Sequence, residues 1–375
     1  MSSSASDADH LPKLPDDVVV DHILKRLPVR SLLRFRCVCR SWRSTIDGPR
    51  FVALHLNHSA LHAGNWHLAY LDWDDLDHRL CSLLSGESLA RASMSQIEIP
   101  FAGPRDCFVF PGSCNGLICI MEVAANEPDE SIYVWNLFTR KHKAVPRFGP
   151  AKKFLSMEKT MEGLGFGFDA RSNDHKIVRI LQDVNRKGLE TRVQIYTLST
   201  DSWRSLECEV PALCNPIPAV FLNGNLHWFV SKHTEGYGSV LLFDVASEVF
   251  DEMVPSEEFL HVLSVSSEAV LSVLNDLLAV CTIRGEAVGH PKPLSVCSIW
   301  VMREYGVPES WTELYSFEYS GRVSGVDGFT RDGELLMLTA DKGQVSWNPI
   351  TGQFAILSLP RCCDWVTVVE SLVSL

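Results

Sequence analysis

Between Val20 and Ile46 apolar residues recur every three or four positions; beyond residue 57 they gather into short β-prone runs. The first stretch has the period of helices. Asp16 or Asp17, just after Pro15, supplies a helix start signal, and Val20, Ile23, Leu24 and Leu27 then fall on one face. Pro28 stops that helix, because the residue before a proline is pushed away from helical angles. Val29 to Ser31 form a corner. A second apolar set at Leu32, Phe35, Val38, Cys39, Trp42 and Ile46 keeps the helical spacing, with arginines on the other side, and breaks at Asp47-Gly48-Pro49. The pattern predicts two or three short helices. So small a unit buries too little surface to be secure alone, so part of its apolar face is expected to dock on something else.

The later runs include Gly116–Ile120, Lys176–Ile180 and Leu335–Leu338, split by Asn, Asp, Gly and Pro. This is the pattern of an all-β domain. Aligning its aromatic residues exposes a repeat. Trp135 has Thr139 four residues on. Tyr196, Phe243 and Trp347 have Thr200, Ser247 and Thr351 at the same offset, then Trp203, Phe250 and Phe354 three residues later. Trp300 is a looser copy whose second aromatic, Trp311, arrives late. Asn115-Gly116, Asn223-Gly224, Asn275-Asp276 and Asp332-Gly333 precede four of these copies, and Gly165-Phe166-Gly167-Phe168-Asp169 is read into the same place in the other.

Each piece has a mechanical reason. Asn-Gly and Asp-Gly supply the positive backbone angles of tight hairpins. Asn136, Asp244 and Asn348, each next to an aromatic, are suited to bond within a turn. The hydroxyl at the fourth position is expected to satisfy a loose amide, and the later aromatic to return to the core. A unit of roughly 50 residues with four strands is the size of a propeller blade. Residues 112–360 hold five copies. Trp66–Leu71 with Leu80–Leu84 reads as a sixth, and Trp365–Val369 is expected to pair with it and close the ring, leaving no exposed sheet edge there. The expected architecture is a small all-α module followed by an all-β propeller-like domain of five or six blades.

Charge separates the same two parts. The chain of 375 residues has a formal net charge of −12, yet residues 13–56 carry nine Lys and Arg against four Asp, leaving −17 for the rest. An acidic body repels phosphate, so no nucleic-acid partner is expected. The basic module should meet a neutral or acidic partner. No apolar stretch approaches a membrane span, and Met1–Asp9 lacks the basic flank and apolar core of a secretory signal. Residues 1–12 are expected to be a disordered tail. The twelve cysteines include no Cys-x-x-Cys, which points to reduced thiols in cytoplasm or nucleus and away from structural zinc.

Other candidate chemistry reads as structural. His55, His58, His62 and His67 lack a thiolate or carboxylate to complete a metal set. Asp72, Asp74, Asp75 and Asp77 lack the Gly and distal Glu of a calcium loop. Gly163, Gly165 and Gly167 lead into no helix, so a phosphate loop is not expected. No nucleophile, metalloprotease or Walker motif is present, and no catalytic residue, metal or cofactor is expected.

The N-terminal stretch resembles an F-box over its whole length. The resemblance is carried by Leu14-Pro15, Ile23-Leu24, Leu27-Pro28, Leu32-Leu33, Arg36-Cys37-Val38-Cys39, Ser41-Trp42 and Phe51 through His55-Leu56. The later chain resembles the plant-type F-box-associated repeat domain, related in style to kelch propellers but without clear Gly-Gly pairs. Its carriers are Gly112–Leu117, Val134–Thr139, Gly165–Asp169, Val193–Tyr196, Leu222–Trp228 and Glu370-Ser371-Leu372. The resemblance implies an F-box over 13–57 and an interaction domain over 58–375. It further implies docking to a SKP-type adaptor and, through it, to cullin and RING subunits of a ubiquitin ligase, with an unidentified protein substrate held by the β domain. Leu14, Pro15, Ile23, Leu24, Leu27, Pro28, Leu32, Val38, Cys39 and Trp42 would form the adaptor-docking face or its immediate support. Two other classes stay open: a propeller-fold oxidase or hydrolase with a helical cap, and an adaptor-bound scaffold outside any ligase.

Overall fold

The computed structural model describes residues 18–73, 79–85, 93–102, 107–123, 131–148, 160–185, 188–214, 218–230, 238–285, 294–361 and 363–375. The expected tail, Leu14, Pro15, Asp74, Asp75 and Asp77 lie outside them.

The helical module opens with a π-type turn, Val19–Ile23, and a 3-10 turn, Leu24–Arg26. Three α-helices follow: α1 (Val29–Phe35), α2 (Arg40–Asp47) and α3 (Pro49–Ala60). The second apolar set is therefore two helices, not one. The chain leaves helical geometry at Cys39 (φ −155°, ψ 165°), whose thiol accepts the Trp42 N–H at 3.4 Å and so caps α2. A polar cap competes with a continuous helix, and the apolar spacing alone does not register that. Pro49, a signal to stop α2, also starts α3, where its missing N–H costs nothing. Leu24, Val29, Leu32, Ile46 and Phe51 form the module's core, joined by Leu372 from the far end of the sequence.

The ring is a six-bladed propeller of four-stranded antiparallel sheets. Blade 1 holds β1 (Trp66–Asp72), β2 (Leu80–Ser85) and β3 (Ser93–Glu98). Blade 2 holds β4 (Cys107–Cys114), β5 (Leu117–Val123), β6 (Ile132–Asn136) and β7 (Lys141–Ala144). Blade 3 holds β8 (Thr160–Asp169), β9 (Asp174–Asn185), β10 (Gly188–Thr197) and β11 (Ser202–Leu206). Blade 4 holds β12 (Val220–Leu222), β13 (Asn225–Val230), β14 (Ser239–Asp244) and β15 (Val249–Met253). Between blades 4 and 5 runs α4 (Glu257–Val265). Blade 5 holds β16 (Glu268–Leu274), β17 (Leu277–Gly285), β18 (Ser295–Met302) and β19 (Trp311–Tyr319). Blade 6 holds β20 (Val323–Phe329), β21 (Leu335–Thr339), β22 (Gly343–Asn348) and β23 (Gln353–Ile356). The last strand, β24 (Cys363–Val369), returns to blade 1 and pairs with β1 from Trp66↔Val369 to Asp72↔Cys363. The sixth copy and the closing strand stand where the sequence predicts them.

The repeat residues do most of what their chemistry suggests. Asn136, Asp244 and Asn348 each accept two backbone N–H groups of the following turn, those of Phe138 and Thr139, Ala246 and Ser247, and Ile350 and Thr351. The residue at the fourth position thus serves chiefly through its amide. The later aromatics lie directly across from the first, as Tyr196↔Trp203, Phe243↔Phe250 and Trp347↔Phe354. They sit on the outermost strand, so Trp203 and Phe250 are only half-buried and Phe354 is 39% exposed, rather than returning deep into the core. Gly165–Asp169 is not a hairpin turn but part of β8; the turn of blade 3 is the segment before Asp174. A Cβ on Gly163, Gly165 or Gly167 would come within 2.6 to 2.9 Å of Leu213, Ala219 or Phe221, so these glycines let blade 3 lie flush against blade 4.

Candidate interaction surfaces

Of the ten residues expected to dock the adaptor, the structure describes and divides eight, Leu14 and Pro15 lying outside the described residues. Leu24 and Leu32 are buried in the module's own core, as support. Leu27 and Trp42 are half-buried, with Trp42 edge-on to Phe35 at 5.2 Å. Ile23, Pro28, Val38 and Cys39 are open to solvent, Val38 to 67%. Val38, two-thirds exposed, and Ile23, also exposed, are apolar surface that the chain does not cover itself. Arg30, Arg34, Arg40 and Arg43 of the same module are exposed too, and Arg36 pairs with Asp47 at 2.5 Å. The site fits a partner with an apolar groove and an acidic rim.

Where the module meets the ring, Glu370-Ser371-Leu372 stands out in the sequence as a motif, but its contact with α1 does not. The α1 N-terminus has no side-chain cap of its own. Glu370 supplies one, its Oε2 accepting the Val29 N–H at 3.0 Å across 341 positions. Burial pushes the Glu370 carboxyl up, but the His67 ring and the Val29 N–H outweigh it and hold it below the ordinary glutamate range. The histidines do not converge: His55 Nε2 meets the Leu27 carbonyl at 3.0 Å, His58 and His62 stack on each other, and His67 Nδ1 meets Ser85 Oγ.

Antiparallel blades sort the connections by end. Turns between first and second strands and between third and fourth strands share one end of the ring; the remaining connections share the other. Trp66 and Val369 pair at the tight-turn end, so the helical module attaches there. The longer connections, including the one carrying α4, emerge at the opposite end.

The six inner strands, β4, β8, β12, β16, β20 and β24, enclose a channel of about 580 Å³. Four carboxylates line it: Glu268, Asp276, Asp327 and Asp364. Burial pushes Asp327 and Asp364 up to about 6, and their mutual repulsion adds to the shift of Asp364. Burial raises Glu268 as well. A raised carboxyl binds its proton more tightly folded than unfolded. Its contribution to stability is therefore complete below the ordinary carboxylate pKa and is lost as pH rises through about 6. Asp327→Asn is accordingly expected to stabilise the chain by about 1–2 kcal/mol at pH 7.5 and to give little benefit at pH 4.5. Urea denaturation at the two pH values measures this, and an equal effect at both would refute it. Buried His175 and His227, lowered to about 4, pull the other way on acidification, but they are common to both proteins and cancel in the difference.

Among the described residues no three His, Cys, Asp or Glu side chains are grouped to hold a metal ion, and no helix is long and apolar enough to cross a membrane. Burial raises the thiols of Cys81 and Cys297 to about 12 and raises those of Cys114, Cys119 and Cys281 too, which keeps them in the unreactive thiol form.

Comparison with known proteins addresses the same two parts. A family model described as an F-box domain matches residues 11–54, and one described as an F-box associated beta propeller domain matches residues 106–326. An F-box/kelch-repeat protein of Arabidopsis thaliana is 25% identical over 375 residues, spanning 95% of this chain and 94% of its own length. A further F-box protein of Arabidopsis thaliana is 27% identical over 405 residues, with coverages of 96% and 91%. The F-box protein CPR1 of the same plant is 26% identical over 397 residues, with coverages of 96% and 88%.

Proposed function

The chain belongs to the F-box proteins that carry an F-box-associated β-propeller, and from that premise we propose that it is the substrate-receptor subunit of a SKP adaptor–cullin–F-box ubiquitin ligase. The observation that carries this reading is the placement of the two surfaces. The uncovered residues Ile23, Pro28, Val38 and Cys39 belong to the F-box, while the long connections leave the ring at the end opposite the F-box attachment. One surface takes the adaptor and the other takes a protein substrate, with the channel between them.

In this role the chain supplies no nucleophile. It holds a substrate lysine near a charged ubiquitin-conjugating enzyme and so raises the effective concentration of the reacting groups. Free thiols throughout the described residues suit a reducing compartment, cytoplasm or nucleus.

The test is adaptor binding by the purified full-length chain. A SKP-type adaptor is expected to bind the unmodified protein, and Val38→Asp is expected to weaken binding tenfold or more, on the order of a hot-spot loss. Because Val38 lies outside the core, the thermal midpoint of the variant should stay unchanged. Failure of the unmodified chain to bind, or undiminished binding by the variant, would overturn the reading.

A further inference from the structure

The F-box here is not a self-sufficient module. Its α1 begins at Pro28 with no local side-chain cap, and the group that accepts the Val29 N–H is Glu370. Its core is completed by Leu372, packed with Leu24, Val29, Leu32, Ile46 and Phe51. Both residues directly follow β24, the strand that closes the ring.

The segment Glu370–Leu375 is fastened to the ring as firmly as to the F-box. The Glu370 N–H donates to the Asn65 carbonyl, and His67 Nε2 lies 3.5 Å from Glu370 Oε1. Ser371 crosses directly over the blade 2 hairpin. A Cβ on Gly116 would sit 2.1 Å from the Ser371 Cβ, and Gly116 has φ +76°, so both the crossing and the turn demand glycine. Buried Asn136 donates to the carbonyls of Ser371 and Val373 at 3.1 and 2.9 Å, and Val373 and Leu375 pack into the core shared by blades 2 and 3. Glu370 directly follows Val369, which pairs with Trp66 at the end of the β1–β24 seam, so the seam and the contact with α1 are adjacent in the chain.

We propose that adaptor binding is conditional on ring closure: the strap Glu370–Leu375 completes the F-box only after β24 has docked, so that a chain with an open ring presents no competent F-box. The consequence is a built-in check that links cargo-binding and ligase-binding competence in one molecule. This inference rests on the adaptor-docking role of the F-box. Within the strap Glu370 is a positioning residue, acting through α1.

The test uses two full-length variants, Glu370→Ala/Leu372→Ser and Glu370→Gln, beside the unmodified chain, with two readouts. In the double variant the backbone amides of residues 31–35 should exchange about tenfold faster, while those of β13 and β14 keep their protection. Its dissociation constant for a SKP-type adaptor should rise about tenfold or more. Glu370→Gln retains an oxygen for the Val29 N–H and should stay within about threefold of the unmodified chain in both readouts. Unaltered exchange in α1 of the double variant, or equal loosening of β13 and β14, overturns the proposal. So does full adaptor binding by that variant. If the unmodified chain fails to bind the adaptor, the functional reading falls instead, and exchange in α1 still decides whether the strap completes the module.

Discussion

Lys176→Ala is expected to cost about 3–5 kcal/mol of folding stability, the range for stranding buried charges by removing their partner. Lys176 is 6% exposed. Its ammonium has three N–H bonds to place and places them on Asp169 Oδ2 at 3.0 Å, Glu248 Oε1 at 2.9 Å and the Val245 carbonyl at 2.8 Å. Asp169 and Lys176 flank the first hairpin of blade 3, and Val245 and Glu248 belong to a turn of blade 4, so one side chain ties two blades together. Burial pushes the Asp169 carboxyl up, but Ser172, Lys176 and the Arg171 and Ser172 amides together hold it well below the usual range. Without the lysine, Arg204 still reaches Glu248, whereas Asp169 loses its only charged partner in the group. Lys176→Met refills the volume and should recover little. The deficit should shrink toward pH 4, because Asp169 freed from the lysine protonates at higher pH than it does beside it. Urea denaturation at pH 7.5 and pH 4.5 measures both statements; a loss below about 1 kcal/mol at neutral pH contradicts them.

The second large effect is a contrast between two equivalent positions of the repeat. Asn136→Ala is expected to cost about 3 kcal/mol and Asn348→Ala about 1 kcal/mol. Both side chains accept the two amides of their turn. Asn136 is fully buried and also donates to Ser371 and Val373, so its loss strands two carbonyls as well as two N–H groups. Asn348 has only a long 3.5 Å contact to Glu334 on that side, and solvent reaches its turn. Thermal unfolding of the two single variants side by side checks the ranking. Equal losses would mean that the strap contributes nothing through Asn136.

What the sequence discloses of this fold is what is local in it. A blade is a run of short hairpins, so Asn115-Gly116 or the offset from Trp347 to Phe354 can be recognised within its own fifty residues. The closing strand was legible for a different reason: an edge-forming run, Trp365–Val369, was left without a partner in its own copy. The adaptor face was legible as residue types in order, but not as surface. Spacing cannot tell Leu24 and Leu32, which the module buries, from Ile23 and Val38, which it leaves open. The Cys39 cap was hidden because a cysteine reads as an apolar residue in a helical pattern. Lys176 read as one polar position of a β run, and its three acceptors come from two blades. Glu370 was legible as part of a motif but not as a cap, since the amide it caps is 341 positions away.

The seam between β1 and β24 has a kinetic meaning. Among the described residues every other strand pairing joins strands that are consecutive in sequence, and each can form while the chain elsewhere is still a coil. The seam joins residues roughly 300 apart, the most demanding search among the strand pairings, because closure entropy grows with the length of chain enclosed. Assembly of the sheets is thus ordered by contact distance, hairpins early and the β1–β24 pairing the last of the strand pairings.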